Sequence, residues 1–306
     1  MSHNHDSHHH HHHHGPKNYN FSFGLGILLN IIFVLVEVYY GVLADSIALI
    51  ADAWHNLSDV ISLLLAWGAS YLATKAATTT RTYGLKRVTI LASLLSSILL
   101  LFALGGIAWE AIERFSNPKE VEGTLVMLVA GIGVIINTAT ALLFVKGQKD
   151  DLNLRAAYLH MAADAGVSLG VLIAGGAIYL TGYLWLDPLI SLFIVFIVLV
   201  STWKLLKDSI NLSIDAVPEH IDIQEIKKYL LDCEKVLEIH DLHIWALSTN
   251  QTALSVHLIL SHEKSDNVLL LQVQKHLKEH FSVEHTTIQI ESSENNFCSL
   301  NNPCCI

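Results

Sequence analysis

Six long apolar stretches constrain this chain more than any other feature. They fall near 20–43, 46–74, 87–113, 123–146, 153–181 and 186–208. Each is long enough to cross a bilayer as a helix, which takes roughly 20 residues. In hydrocarbon the backbone must satisfy its hydrogen bonds within its own segment, so stretches of this kind are expected as transmembrane helices. Composition agrees: 15% of the residues are charged, against about 25% in an ordinary soluble protein. The expected fold class is therefore an α-helical polytopic membrane protein with six transmembrane helices over residues 20–212.

Basic residues orient the spans. Lys75, Arg81, Lys86 and Arg87 lie between spans two and three, and Lys146, Lys149 and Arg155 between four and five. The opposite connections hold only Lys119 beyond the helix-end Arg114. An excess of Lys and Arg marks cytoplasmic loops, so both termini are expected in the cytoplasm. The first 19 residues are polar and histidine-rich, unlike a cleavable signal peptide, and read as a cytoplasmic arm. A net charge of -10 and the lack of a Lys/Arg stripe argue against nucleic acid as a partner.

Past Asp215 the pattern changes. "HIDIQEIKKYLLDCE" and "NVLLLQVQKHLKEHF" have helical periodicity, whereas "VLEIHDLHIWAL", "TALSVHLILS" and "HTTIQIE" read as strands. Helix–strand–strand–helix–strand over 213–292 predicts a C-terminal α+β domain, with helices on one face of a small sheet. The tail, 293–306, is rich in turn formers. It holds Cys298, Cys304 and Cys305, three of the four cysteines in the chain, which suggests a metal-binding or redox segment.

Ionisable residues inside the spans then need a reason, because charge is expensive in a bilayer. In the second span, "IADAWHNLSD" places His55 and Asp59 four residues apart, hence on one helical face. In the fifth, "NLRAAYLHMAADAGVSLG" repeats the spacing with His160 and Asp164. One such pair would serve as polar glue between helices. Two pairs of the same type and spacing, in two spans, can close a shell of two imidazole nitrogens and two carboxylate oxygens. That tetrahedral set suits Zn2+. Magnesium prefers six oxygens, and copper(I) prefers thiolates. Asp52, three residues before His55, is a candidate partner for a ligand imidazole or part of a proton path, and Glu37 in the first span is a further candidate for that path. Asn30 and Asn137 are expected to hydrogen-bond between helices.

The stretches "SIALIADAWHNLSD", "RTYGLKRVTILAS", "WEAIERF", "DPLISL", "WKLLKDS", "IHDLHIWAL" and "HTTIQIES" carry a resemblance that covers nearly the whole chain. The chain resembles the cation diffusion facilitator family, in its zinc-exporting branch. The resemblance implies that His55, Asp59, His160 and Asp164 form the transport site, and that zinc is the metal, since branches preferring manganese or iron usually replace a ligand histidine. It implies a homodimer whose cytoplasmic domain has a ferredoxin- or metallochaperone-like fold and binds zinc for regulation. By motif position, His240, His257 and Glu291 match that second site. His243 is expected on the opposite strand face from His240 and is left out. The tail cysteines resemble a further cytoplasmic site of some members. A site that others carry between spans two and three is expected to be absent, because "TKAATTTRTYG" has no His, Asp or Glu.

Seven consecutive histidines at 8–14 are also what a purification tag looks like, yet His3 and His5 interleaved with Asn4 and Asp6 favour a native arm. Such an arm would collect zinc weakly near the entrance. The expected function is zinc efflux by Zn2+/H+ antiport, since metal and proton compete for the same imidazoles. The expected setting is a multi-pass protein of the bacterial inner (cell) membrane. Two rivals are weaker. An intramembrane metallohydrolase needs a general base, and no HExxH motif is present, since Asn56 follows His55 and Met161 follows His160. A membrane-anchored zinc sensor leaves a four-ligand site within the bilayer unexplained. No enzymatic activity is expected.

Overall fold

The computed structural model describes residues 19–145, 152–261 and 267–292; the histidine arm and Cys298, Cys304 and Cys305 lie outside them. Six long helices come first: α1 (Tyr19–Leu43), α2 (Ile47–Ala73), α3 (Val88–Ser116), α4 (Gly123–Phe144), α5 (Leu152–Thr181) and α6 (Leu186–Ser213). Four contain segments long and apolar enough to cross a membrane: Val88–Ser116, Gly123–Leu143, Tyr158–Thr181 and Leu186–Ser213. The described apolar part of α1, Leu28–Leu43, is shorter. α2 interrupts its apolar run with Asp52, His55, Asn56 and Asp59. Leu35, Trp67, Phe102, Trp109 and Leu180 are all well exposed. Large apolar side chains facing outward on these helices suit a solvent of lipid tails rather than water.

Residue contacts divide the chain into two units, one of 1–60 with 107–195 and one of 61–106 with 196–306. In the first unit, α4 and α5 approach closely through glycine. A Cβ on Gly123 would sit 2.8 Å from the Gly175 carbonyl oxygen, and one on Gly175 would sit 2.9 Å from Val126 Cγ1. Small residues let helices meet at backbone distance where no hydrophobic drive holds them together.

The start of α2 is fixed by a residue from far along the chain. The buried Asp187 carboxylate, at the head of α6, accepts hydrogen bonds from Ser46 Oγ, from Ile47 N at 2.8 Å and from Ala48 N at 3.3 Å. Ser46 Oγ in turn accepts from Leu49 N at 3.2 Å. A helix N-terminus leaves backbone N–H groups without partners, and a carboxylate placed there satisfies them and complements the helix dipole. Nearby, the buried Arg114 donates to the Asp45 backbone and carboxylate and to Glu110. Asp45 itself has φ of 50°, a left-handed turn residue between α1 and α2.

The second unit contains the C-terminal α+β domain: α7 (Ile223–Asp232), β1 (Val236–Ser248), β2 (Gln251–Leu260), α8 (Asn267–Phe281) and β3 (Val283–Ser292). This is the element order expected from periodicity. β1 and β2 are antiparallel, β2 and β3 parallel, in the order β1-β2-β3. On β2, Leu254, Val256, Leu258 and Leu260 are buried against Ile226 and Leu230 of α7 and Val273 and Leu277 of α8. The alternate residues Ser255, His257 and Ile259 are only half-buried, and occupy the other sheet face. α7 is started by Asp222, which accepts from Gln224 N at 2.7 Å.

Candidate metal sites

The first candidate site is built from α2 and α5. Helical spacing stacks His55 over Asp59 and His160 over Asp164, and the two helices bring these pairs face to face. His55 Nε2 lies 3.3 Å from Asp164 Oδ1 and 3.9 Å from Asp59 Oδ2. His160 Nε2 lies 3.2 Å from Asp59 Oδ2 and 3.8 Å from Asp164 Oδ2. Each carboxylate therefore faces both imidazoles. His55, Asp59 and Asp164 each offer one ligand atom, all within 4.8 Å of one another. His160 is the outlying member of the four, with 45% of its side chain exposed against 3% for Asp164. Asp59 Oδ2 has no hydrogen-bond partner although His160 is close. The donor set, two nitrogens and two carboxylates, suits a borderline divalent ion such as zinc.

Glu37 and Asp52 are beside this site and fully buried. Asn56 Nδ2 donates to Glu37 Oε2 at 2.9 Å, and Ser168 Oγ donates to Asp52 Oδ2 at 3.0 Å. Asn137 Nδ2 reaches Ser168 Oγ at 3.5 Å and Asn30 Nδ2 reaches Met161 Sδ at 3.6 Å, each joining one helix to another. Sequence reasoning singled out Glu37 and Asp52 but missed Asn56 and Ser168 as their partners. Neither contact leaves a signal in helical spacing, because one joins α1 to α2 and the other joins α2 to α5.

The second candidate site lies on the sheet face away from α7 and α8. β1 and β2 pair His240 with His257, and β3 adds Glu291 beside them. Glu291 Oε2 is 3.1 Å from His240 Nε2, and Oε1 is 2.9 Å from His257 Nδ1. The three offer ligand atoms within 4.8 Å of one another. The structure corrects the expectation for His243. A register shift between His240 and His243, with Asp241 at φ of 53°, inserts a bulge in β1. The bulge returns His243 to the same face as His240, since it pairs with Ser255, two residues from His257. Asp241 then links the two, 2.9 Å from His243 Nε2 and 3.5 Å from His257 Nε2. Strict alternation along a strand could not reveal this.

On the helical side of the same domain, Tyr229 and His276 stack at 3.9 Å between ring centroids, and His276 stacks on His280 at 4.0 Å. Burial holds the Tyr229 hydroxyl up at about 12. Partial desolvation and the neighbouring His280 hold the His276 imidazole below its ordinary value.

Residues 24–212 match the cation efflux transmembrane domain, and residues 218–293 match the cytoplasmic domain of cation efflux proteins. Among similar proteins is a cadmium, cobalt and zinc/H(+)-K(+) antiporter of Bacillus subtilis, 37% identical over 86% of each chain. The zinc transporter ZitB of Escherichia coli is 37% identical over 85% of this chain and 83% of its own. The metal cation efflux system protein CzcD of Cupriavidus metallidurans is 36% identical over 85% and 82%. A solved structure of the metal-bound C-terminal domain of that CzcD transporter is 33% identical, with a TM-score of 0.22, and covers 23% of this chain and 99% of its own. With both domain models matched in order and relatives 36–37% identical over 85–86% of its length, the chain belongs to the cation efflux family, the cation diffusion facilitators.

Proposed function

We propose that this protein exports zinc, exchanging Zn2+ for protons by alternating access at the α2–α5 site. One observation carries the reading: two helices of the membrane domain converge a His–Asp pair each, so that each carboxylate faces both imidazoles. His55, Asp59, His160 and Asp164 are the proposed ligands. Similar proteins named as zinc transporters and as a cadmium, cobalt and zinc antiporter support the substrate class. A hydrolase would need an open coordination position and a general base. With all four groups of the quartet taken as ligands, none of them is left as a general base and a tetrahedral ion keeps no open position, so transport is favoured over enzyme chemistry.

Imidazole must be neutral to bind zinc, so a proton-rich side favours release and a proton-poor side favours loading. Rocking α2 and α5 against their neighbours would expose one site to each side in turn. In this reading all six long helices span the bilayer, with α2 tolerating its charges because they face the bundle. Both termini face the cytoplasm, in a bacterial cell membrane. The C-terminal domain, of ferredoxin-like type, pairs two copies into a homodimer. His240, His257 and Glu291 bind zinc there and regulate the exchange. The tail cysteines and the histidine arm are auxiliary zinc binders.

Flux in proteoliposomes tests the proposal. Zinc accumulating inside vesicles against an imposed proton gradient, and stopping when the gradient is collapsed, is the expected result. Tight zinc binding with no flux under any gradient would leave a sensor instead.

A further inference from the structure

Two fully buried carboxyl groups next to the α2–α5 site serve as no ligand in the scheme above, yet they face each other. Glu37 of α1 packs against the turn of α2 that carries Asp52: its donor Asn56 stands four residues, one helical turn, after Asp52, and both carboxyls are fully buried within reach of each other. Each has one oxygen satisfied by a neutral donor: Asn56 Nδ2 on Glu37 Oε2 and Ser168 Oγ on Asp52 Oδ2. The remaining oxygens, Glu37 Oε1 and Asp52 Oδ1, have no donor at all. Asn137 Oδ1, fully buried on α4, is likewise without a partner. No Lys or Arg side chain forms an ion pair with either carboxyl among the described residues. The charged or titratable groups that act on the pair are His55 of α2 and Asp164 of α5, both belonging to the zinc site.

Two carboxylates at this distance, out of water, cannot both ionise; such a pair holds one proton between its oxygens. One proton held between the two carboxyls would supply the donor that their remaining oxygens lack. We propose that Glu37 and Asp52 form a proton-binding site separate from the zinc ligands, and that this proton is one of those exchanged for zinc. The inference rests on the zinc-transport reading of the neighbouring site.

The exchange balances simply. As Zn2+ binds His55, Asp59, His160 and Asp164, its charge makes the pair's proton less stable. The carboxyl O–H bond breaks and the proton leaves to the cytoplasmic side, so the buried region gains a single positive charge rather than two. Facing the other side, a proton re-forms that O–H bond and weakens the hold on zinc. Coupling then runs through space, by charge, and does not require protons and zinc to share an atom.

Proton release on zinc binding tests this in the full-length protein. In weakly buffered detergent solution, Zn2+ is added to wild type, Glu37→Gln and Asp52→Asn, and protons released per zinc are counted with a pH indicator. Both substitutions keep size and hydrogen-bonding shape and leave the four ligands intact. The count should fall by about one proton per zinc in each variant, because a carboxyl that can no longer release is removed from the balance. The dependence of zinc affinity on pH should flatten accordingly. Wild-type counts in variants that bind zinc would overturn the inference while leaving zinc transport standing. Infrared difference spectra of wild type give a reading that needs no variant. A protonated-carboxyl band should be lost when Zn2+ is added, and its absence or persistence would overturn the inference. Failure of the wild type to bind Zn2+ at all would instead overturn the transport reading on which it rests.

Discussion

Asp164 Oδ1 lies 3.3 Å from His55 Nε2, although 109 residues separate them. Its other oxygen lies 3.8 Å from His160, one turn away on its own helix. Asp164 thus ties α5 to α2 through the groups proposed to hold zinc, and it is nearly inaccessible. Asp164→Ala leaves a divalent ion with one negative ligand and an open position. Flux should fall by more than the roughly 10–100-fold that loss of an outer partner costs. Initial rates of zinc uptake in vesicles, with dimer content checked by size exclusion, measure this. Near-normal rates would remove Asp164 from the ligand set.

Selectivity depends on the imidazoles. His55→Asp replaces a nitrogen by a harder, charged oxygen and relaxes the tetrahedral preference. Cadmium or manganese should then compete against zinc better than they do in wild type. Competition by each metal for zinc uptake gives the order, and an unchanged order would place selectivity outside this residue.

Much of this could be read from the sequence, and the reasons are physical. Hydropathy marks long helices because lipid imposes one solution on the backbone. The two His–Asp pairs stand out because ionisable residues are rare in such runs and the four-residue spacing is helical. Contacts made across the fold left no such trace. Asp187 sits in "LDPLISL" with nothing to indicate that it caps α2, and the position of His243 depends on a left-handed Asp241, where a strand pattern predicts none. Asn56 and Ser168 look like ordinary polar helix residues until α1, α2 and α5 meet.

Asp187 should matter for stability ahead of chemistry. Removing its carboxylate strands the N–H groups of Ile47 and Ala48 and the Ser46 hydroxyl in a buried place. Leaving buried donors unmade costs about 1–3 kcal/mol. Asp187→Ala should therefore lower the thermal unfolding midpoint in detergent, and Asp187→Asn, which keeps an acceptor oxygen, should lower it less. Equal midpoints for wild type and Asp187→Ala would mean that other groups satisfy the head of α2.

The sheet-face site makes a different claim. His240, His257 and Glu291 are outside the helices of the membrane domain, so zinc held there is not on the transport route. Metal bridging three strands, or two copies of the sheet, would stiffen the cytoplasmic domains and bias the equilibrium between conformations. A ligand shifts such an equilibrium only by the difference between its affinities for the two states, so removal should tune the cycle rather than stop it. His240→Ala combined with His257→Ala should lower apparent zinc affinity or rate by several-fold, within the roughly 5–150-fold range of allosteric coupling. Asp241 complicates the single substitutions, because it also contacts His257 and can substitute for a lost partner. The double variant avoids this. Uptake kinetics across a range of zinc concentrations decide the matter: a dead but folded double variant makes the site obligatory, and wild-type kinetics throughout make it idle.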